Sequence, residues 1–439
     1  MKDAAWVAEA AGGELLAGDP GLSGPRRAMV DSRAAGEGDL FVGLHGANAD
    51  GSRFARSALD AGAWGALVGP ARARELVAQG VTAPVIASDN TLEALGSLAR
   101  GWRRELGARV VGVTGSTGKT STKDILAALL APHLRVHRNR ENWNTEIGLP
   151  LTILEAEEGT EALVLEMAMR GEGQIAELAA IAEPDVGLIV NVGPVHLELL
   201  GTVERVAAAK AELIRDLGPD ATAVVPAGEP LLEEHLRDDL ETITFGPDGD
   251  VRLESFDGGR AVIHARGERI ELELPFDEDY NVANTVAAVA AATALGIKPD
   301  GPVEVAFSSL RGEVVELGGG VTVVNDCYNA NPMSMRAALD HLAASPAERR
   351  VAVLGTMAEL GSDSTAYHRE IGEHAAKLGI DVLVTVGDDA LEYAAGFGAE
   401  THSVATPEEA GALLEEVALP GDRVLVKGSR SVGLERVLA

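Results

Sequence analysis

The stretch Val110-Val111-Gly112-Val113-Thr114-Gly115-Ser116-Thr117-Gly118-Lys119-Thr120-Ser121 decides how this chain folds. A run of β-branched residues enters a loop of the form G-x-x-x-x-G-K-[ST], and the segment Ser121 to Leu130 leaves it as a helix. The glycines let backbone N–H groups close around phosphate oxygens, and the helix start adds the positive end of its dipole. Lys119 brings a point charge to the outer phosphates, and the Thr120 hydroxyl is placed to ligate Mg²⁺. Gly115, Ser116, Thr117, Gly118, Lys119, Thr120 and Ser121 are therefore the candidate phosphate-binding residues. The ligand they predict is a nucleoside triphosphate. An ordinary glycine-rich turn would not need Lys and Thr in this register. The Asn-Lys-x-Asp pattern that reads guanine is absent.

Downstream, Ala162 to Leu165, Val186 to Val190 and Ala221 to Val225 repeat the aliphatic run of Val110 to Val113 without polar alternation. Parallel strands covered on both faces read this way, with helices as crossovers. Ligands sit outside the C-terminal edge of such a sheet. Glu166 stands at the end of the second run, and His196 follows the third in Asn191-Val192-Gly193-Pro194-Val195-His196-Leu197-Glu198. A lone carboxylate or histidine is most often structural, but two strand-end ligands beside a phosphate loop point to a shared metal site. Lys210 falls in an expected helix, Val203 to Leu217; its small neighbours suit a cleft and its charged ones suit solvent, and both readings stay open. Between Thr242 and Pro275 short alternating strands suggest an antiparallel insertion or sheet extension. The Ala-rich helix Asn284 to Leu295, stopped by Gly296, follows.

Residues 1–107 carry short apolar runs (39–44, 66–68 and 84–87) among glycine-rich turns, then a helix from Ser97 to Leu106 that Gly107 ends. From Glu313, strands at 321–324, 351–354, 382–386 and 424–426 alternate with helices as a second doubly wound sheet. Three α/β units in series are expected, 1–107, 108–312 and 313–439, with ligand clefts between them. In 439 residues, 37 Lys and Arg face 68 Asp and Glu, for a net charge of −31. That field repels nucleic acid and anionic membrane surfaces alike. The N-terminus lacks a signal-peptide core, no apolar run reaches membrane-spanning length, and the single cysteine, Cys327, has no internal disulfide partner. A cytoplasmic protein with no nucleic-acid partner and no membrane insertion is expected.

Together these residues resemble the Mur ligases, the ATP-dependent amide-forming enzymes of peptidoglycan precursor synthesis, and most closely their D-alanyl-D-alanine-adding type. The resemblance runs over nearly the whole chain. It includes Asp31-Ser32-Arg33, Gly38 to Val42, Asp50-Gly51, the phosphate loop, Asn142 to Pro150, the Glu166 strand, Gly193 to Glu198 and Ala209-Lys210. It continues through Asn281 to Asn284, Arg311-Gly312-Glu313, Asp326 to Met335, Glu359-Leu360-Gly361, His368 and Lys427 to Ser431.

The resemblance implies a three-domain α/β architecture: a UDP-substrate domain, a central ATP-binding parallel-sheet domain, and a C-terminal Rossmann-like domain for the incoming dipeptide. It implies a monomer using ATP and two Mg²⁺ ions, with Thr120, Glu166 and His196 as ligands and Lys210 carbamylated to hold the second ion. Lys119, Glu166, His196 and Lys210 would carry the catalysis. Asn281, Asn284, Arg311 and Asp326 would contact the nucleotide; Ser32 and Arg33 the uridine diphosphate; Asn142, Asn144 and Thr145 the muramyl substrate. Tyr328, Asn329, Asn331, Lys427 and Ser429 would line the dipeptide cleft. The implied reaction joins D-alanyl-D-alanine to a UDP-N-acetylmuramoyl-tripeptide through an acyl phosphate. The sequence leaves open whether the third residue of that tripeptide is lysine or diaminopimelate. Tyr280, Leu310, Ala168, Thr356 and Ser52 depart from the family's usual His, Gly, Gly, Asp and His. Asn329-Ala330-Asn331-Pro332 separates the chain from sister ligases carrying Asp-Asn-Pro-Arg.

Overall fold

The run entering the glycine-rich loop is the strand Arg109–Thr114, in the interior of a ten-stranded sheet. The computed structural model describes residues 1–46, 50–398 and 400–438. Ala162–Glu166 and Val186–Ile189 flank that strand in parallel, and Thr222–Pro226 and Val136–Arg138 lie one place further out on either side. The chain thus reverses its direction of winding at Arg109–Thr114, where an open α/β sheet leaves a crevice for ligands. Aliphatic residues serve both faces in alternation. Val111 and Val113 pack with Ile125, Val286 and Val289 on one side; Val110, Leu163 and Leu165 pack with Leu178, Val206 and Leu213 on the other. The helices Lys119–Leu130 and Asp279–Ala294 cover the first face, and Gln174–Ala182 and Val203–Arg215 the second.

The alternating segment extends this same sheet. Glu241–Phe245 adds in parallel to Thr222–Pro226, Val251–Asp257 joins it in parallel, and Arg260–Ala265 and Glu268–Glu273 continue as antiparallel strands. The first two pairings of the extension are therefore parallel, where the short alternating strands suggest antiparallel ones. Two helices begin earlier than their apolar periodicity suggests. One runs Thr91–Leu106, because the Asn90 side chain accepts from Glu93 N; Gly107 closes it at a φ of 63°. The other runs Asp279–Ala294 and so takes Asn281 and Asn284 into its first turns.

The first sheet has the order Glu14–Ala17, Val85–Ala87, Gly65–Val68, Asp39–Val42, Arg27–Met29, and only its first pair is antiparallel. The third has six strands, with Val321–Asn325, Asp422–Lys427, Arg349–Gly355 and Val382–Val386 between the edge strands Glu313–Leu317 and Glu400–Val404. The strands that aliphatic runs do not reveal (14–17, 27–29, 136–138, 313–317 and 400–404) all lie at sheet edges. An edge strand half in water needs no continuous apolar run. Among the described residues no helix is long and apolar enough to cross a membrane.

The first sheet is fixed to the second through a shared core. Trp102 is 3% exposed and packs in one cluster with Leu149, Ile153 and Leu178 of the central sheet's helices. Its Nε1 donates to the Ala156 carbonyl at 2.9 Å, and Trp6 meets it edge to face at 6.1 Å. Beyond the second sheet, Ser308 N and Oγ donate to the buried Asp124 carboxylate at 2.9 and 3.0 Å, and Arg138 pairs with the same group. The chain is thus pinned just before it enters the third sheet. Trp102→Ala should cost about 3–5 kcal/mol, read from the urea midpoint. A loss under roughly 1 kcal/mol would mean that the two units do not share their core.

Candidate active site

Three strand ends of the central sheet meet one cavity. After Arg109–Thr114 the chain turns into the helix Lys119–Leu130 at Gly118, whose φ of 76° is left-handed. A Cβ there would stand 2.5 Å from Asn284 Oδ1, so only glycine fits. No side chain caps this helix, which leaves its first-turn amides open to an anion. Asn191 already uses two other amides of the loop: its Oδ1 accepts from Ser116 N at 3.1 Å and Thr117 N at 2.9 Å. The next strand end therefore sets the loop's shape. Lys119 Nζ donates to the Gly115 carbonyl at 2.8 Å.

Glu166 closes its strand and is 2% exposed. Asn139 holds it in place: Glu166 N donates to Asn139 Oδ1 at 2.9 Å, and Asn139 Nδ2 donates to the Glu166 carbonyl at 3.0 Å. Asn144 Nδ2 donates to Oε1 at 2.7 Å, whereas Oε2 is buried with no partner. An unpartnered buried carboxylate oxygen is costly unless a cation meets it. The Thr120 hydroxyl and the His196 imidazole face the same cavity. This oxygen-rich donor set fits Mg²⁺.

His196 has a φ of 54°, and its Nδ1 bonds to Glu359 Oε2 from the third sheet's unit. In the tautomer that donates from Nδ1, Nε2 keeps a lone pair for a cation. Desolvation lowers the His196 pKa; Glu359 opposes that, and Lys119 and Lys210 reinforce it. The neutral ring is the ligating form.

Lys210 enters the cleft, which resolves the two readings its helix allowed. It is 2% exposed, and among the described residues no carboxylate pairs with it. Desolvation first, then the charge of Lys119, holds its pKa well below the ordinary lysine value. Desolvation also lowers the pKa of Lys119, with Glu166 opposing and Arg311 adding to the shift.

The third sheet supplies the opposite wall. The Arg311 guanidinium stacks over Tyr328 at 4.0 Å and donates from Nη2 to Thr120 Oγ1 at 3.1 Å, while its Nε is buried without a partner. Lys427 Nζ donates to Asp326 Oδ2 at 2.6 Å and to the Asn329 carbonyl at 3.0 Å. Asn331 Oδ1 caps the helix Pro332–Ala344.

The cavity measures about 700 Å³. Of the residues expected from sequence, Ser116 to Ser121, Asn142, Asn144, Thr145, Glu166, His196, Lys210, Asn284, Arg311, Asp326, Tyr328, Asn329, Asn331 and Lys427 line it. Gly115, Asn281 and Ser429 lie outside that wall: Asn281 accepts from Asn284 Nδ2 at 3.4 Å, and Ser429 Oγ accepts from Ala358 N at 2.9 Å. Ser32 and Arg33 stand elsewhere, beyond the strand Arg27–Met29, where Arg33 pairs with Asp31. Sequence reasoning gave no role to Asn139, Asn191, Glu359, Arg170, Gln174 or Glu177. Two of them carried a readable signal: Asn191, which follows a strand end, and Glu359, which opens the matching stretch Glu359-Leu360-Gly361. Since the buried Lys210 charge has no partner, Lys210→Met should leave the unliganded protein melting at or above the wild-type temperature. A fall of several degrees would show that the ammonium stabilises the fold.

The chain matches the Mur ligase middle domain over residues 113–292, the Mur ligase glutamate ligase domain over 310–430, and the Mur ligase family catalytic domain over 29–103. It is 37% identical over 418 residues to the UDP-N-acetylmuramoyl-tripeptide–D-alanyl-D-alanine ligase of Synechocystis sp., covering 93% of this chain and 90% of that one. The crystal structure of MurF ligase from Thermotoga maritima in complex with ADP superposes with a TM-score of 0.81 at 32% identity, covering 94% and 96% of the two chains. The UDP-N-acetylmuramoylalanyl-D-glutamyl-2,6-diaminopimelate–D-alanyl-D-alanyl ligase of Acinetobacter baumannii gives 0.84 at 27% identity, covering 100% and 97%. With an uncapped phosphate loop, a buried carboxylate oxygen that lacks a partner among the described residues, and similarity over nearly its whole length, the chain belongs to the Mur ligase family.

Proposed function

We propose that this chain is the ATP-dependent ligase that joins D-alanyl-D-alanine to a UDP-N-acetylmuramoyl-tripeptide, with ADP and phosphate as products, in peptidoglycan precursor synthesis. The observation that carries the reading is the single cavity between the phosphate loop and the wall of Arg311, Tyr328, Asn329 and Lys427. Relatives 37% and 35% identical over 93% of the chain bear that ligase name. The protein would act as a monomer in the cytoplasm, with residues 1–107 taking the UDP end, 108–312 the ATP and 313–439 the dipeptide. Ser32 and Arg33 would then meet the uridine diphosphate outside the cavity.

A carboxylate is a poor electrophile, so it must first be activated. A carboxylate oxygen of the tripeptide attacks the γ-phosphorus of ATP, the bond to the bridging oxygen breaks, and ADP leaves behind an acyl phosphate. The free amine of the dipeptide attacks the acyl carbon, and the tetrahedral adduct collapses with loss of phosphate and of the ammonium proton. Lys119 and the first-turn amides of Lys119–Leu130 hold the outer phosphates while the two anions approach. Arg311 has a buried Nε free for the nucleotide, with Asn281, Asn284 and Asp326 nearby to position it. Asn142, Asn144 and Thr145 face the muramyl substrate, and Tyr328, Asn329, Asn331, Lys427 and Ser429 form or back the wall where the dipeptide sits. Closure of that wall keeps water from the acyl phosphate.

Two Mg²⁺ ions would neutralise the charge on the triphosphate, one held by Thr120, Glu166 and His196 and the other by a carbamylated Lys210. A lysine amine kept neutral by burial can attack CO₂, losing a proton to become a carbamate. Burial and the charge of Lys119 move the unpaired Lys210 of this cleft toward that form.

Lys119→Ala should abolish ADP formation from ATP, magnesium, the muramyl tripeptide and D-alanyl-D-alanine. Activity near wild type would count against the assignment, as would wild-type protein that prefers a single amino acid as acceptor. Lys210→Ala should regain part of its turnover when short carboxylic acids are added. Indifference to both the substitution and the acids would remove the carbamate.

A further inference from the structure

Lys123 lies one helical turn beyond Lys119, is 0% exposed, and is used by no step of the ligase reaction. Its Nζ donates to the Asn139 carbonyl at 2.7 Å and stands 3.3 Å from the buried Asp124 carboxylate. A fully buried ammonium is costly unless it is both paired and hydrogen-bonded, and these two contacts meet that demand. What the ammonium holds is a single asparagine, Asn139, itself 0% exposed.

Asn139 stands where a strand gives out. Val136–Arg138 runs parallel to Ala162–Glu166, and the pairing stops at Arg138 opposite Val164, two residues short of Glu166. The main chain then turns off into the loop that carries Asn142, Asn144 and Thr145. The Asn139 side chain, an amide like the peptide group it replaces, takes over the pairing. Its Oδ1 accepts from Glu166 N at 2.9 Å, and its Nδ2 donates to the Glu166 carbonyl at 3.0 Å. The same Nδ2 donates to the Trp143 carbonyl at 2.9 Å. One N–H and two carbonyls leave the amide only one way round. The residue after Trp143 is Asn144, whose Nδ2 donates to Glu166 Oε1 at 2.7 Å. One side chain therefore fixes both the main chain of Glu166 and the amide that grips its carboxylate, while Lys123 fixes Asn139 by its own carbonyl. Neither Asn139 nor Lys123 lines the cavity, so both act on it through Glu166 and the loop.

A carboxylate held in one orientation binds a cation without losing rotamer freedom at that moment. Groups that hydrogen-bond a metal ligand from behind set metal affinity in this way. We propose that Asn139, backed by Lys123, is a positioning residue for the divalent cation: it presents Glu166 Oε2 to the cavity in one orientation and so sets how tightly the site binds Mg²⁺. The proposal rests on the Mg²⁺ site of the ligase reading and deepens it.

Mn²⁺ reports this site without turnover. Its binding to the ADP-loaded protein is followed by electron paramagnetic resonance, corrected for the ion that ADP alone takes up. Asn139→Ala should weaken Mn²⁺ binding on the order of 10- to 100-fold, and leave ADP affinity in the absence of metal within about threefold. In turnover the Mg²⁺ concentration at half-maximal rate should rise about tenfold or more, while kcat at saturating Mg²⁺ stays within about threefold. Lys123→Met should weaken Mn²⁺ in the same direction. Added to Asn139→Ala it should cost no more than about a further twofold, because both act through one amide. A folded Asn139→Ala protein with wild-type Mn²⁺ affinity overturns the proposal. So does one that loses kcat at saturating Mg²⁺ with an unchanged Mg²⁺ requirement, since Asn139 would then serve the substrate loop. Where melting curves show that Asn139→Ala does not fold, Asn139→Ser, which keeps a small polar group in the same space, takes its place; if neither folds, Asn139 is a residue of the fold alone and the proposal fails. Wild type that binds Mn²⁺ with ADP, yet forms no ADP from ATP with the tripeptide and the dipeptide, would sink the ligase reading alone.

Discussion

Among the described residues Lys119 and Lys210 face one cavity with no carboxylate in an ion pair with either, and the rest of the site is arranged around that constraint. Like charges in a low-dielectric space repel strongly, and each has lost hydration. The protein could have neutralised them, as it does Lys427 with Asp326. Instead Lys119 leans on a carbonyl, Lys210 is buried among small helix neighbours, and Arg311 lies over an aromatic ring. A chain of net charge −31 needs such a pocket if it is to capture a triphosphate and a carboxylate together. The Glu166 Oε2 is the complementary device, a buried carboxylate oxygen with no partner among the described residues. The cores on both faces of the central sheet supply the stability that these uncompensated groups remove.

The third sheet is as much a part of this site as the phosphate loop. Glu359 orients His196, and Glu198 N donates to the Glu359 carbonyl at 3.2 Å. Both residues of the pair have left-handed backbones, with φ of 54° and 64°. Such conformations cost about 1–3 kcal/mol each and persist where the surroundings fix them. Met333, at the start of the helix Pro332–Ala344, sits so close to Gly193 that a Cβ there would fall 1.9 Å from its sulfur. Gly193 in turn exchanges hydrogen bonds with the Ser116 hydroxyl of the phosphate loop, at 2.8 and 3.0 Å. Arg311 completes the set through Thr120. Three links thus tie the wall to the loop, and an open arrangement of the units would leave His196 without its partner and Thr120 without its donor.

The sequence was most legible where local order sets the chemistry. The phosphate loop, Glu166 and His196 follow from strand ends of a parallel sheet, and the cavity gathers all three. Lys210 was ambiguous because its burial depends on how the helix Val203–Arg215 packs, which periodicity does not reveal. Glu359 and Arg170 had no legible role because their partners are distant in the chain. His196 and Glu359, for example, are 163 residues apart. Apolar periodicity makes the helix at Asp279 look short because its first turns are polar, and those turns carry the asparagines of the site. The edge strands were missed for a related reason: solvent on one side removes the need for an aliphatic run.

The positions that depart from the family's usual residues show how the hinge tolerates them. Leu310 adopts a φ of 60°, a backbone that favours glycine, yet its side chain packs against the core formed by Val321, Val323 and Val424. The apolar contact offsets part of a strain of about 1–2 kcal/mol. Its carbonyl accepts from Tyr328 N at 3.3 Å, so the strained residue also helps set the ring on which Arg311 stacks. Gly312, at 71°, keeps the glycine, and a Cβ there would lie 3.3 Å from the Tyr280 hydroxyl. Tyr280 meets His341 edge to face at 6.2 Å, bridging the central helix and the third unit where the family usually carries an imidazole. Both substitutions exchange a local preference for packing across the hinge. Packing across this junction helps hold together the units in which the two lysines, the carboxylate and the imidazole share one cavity.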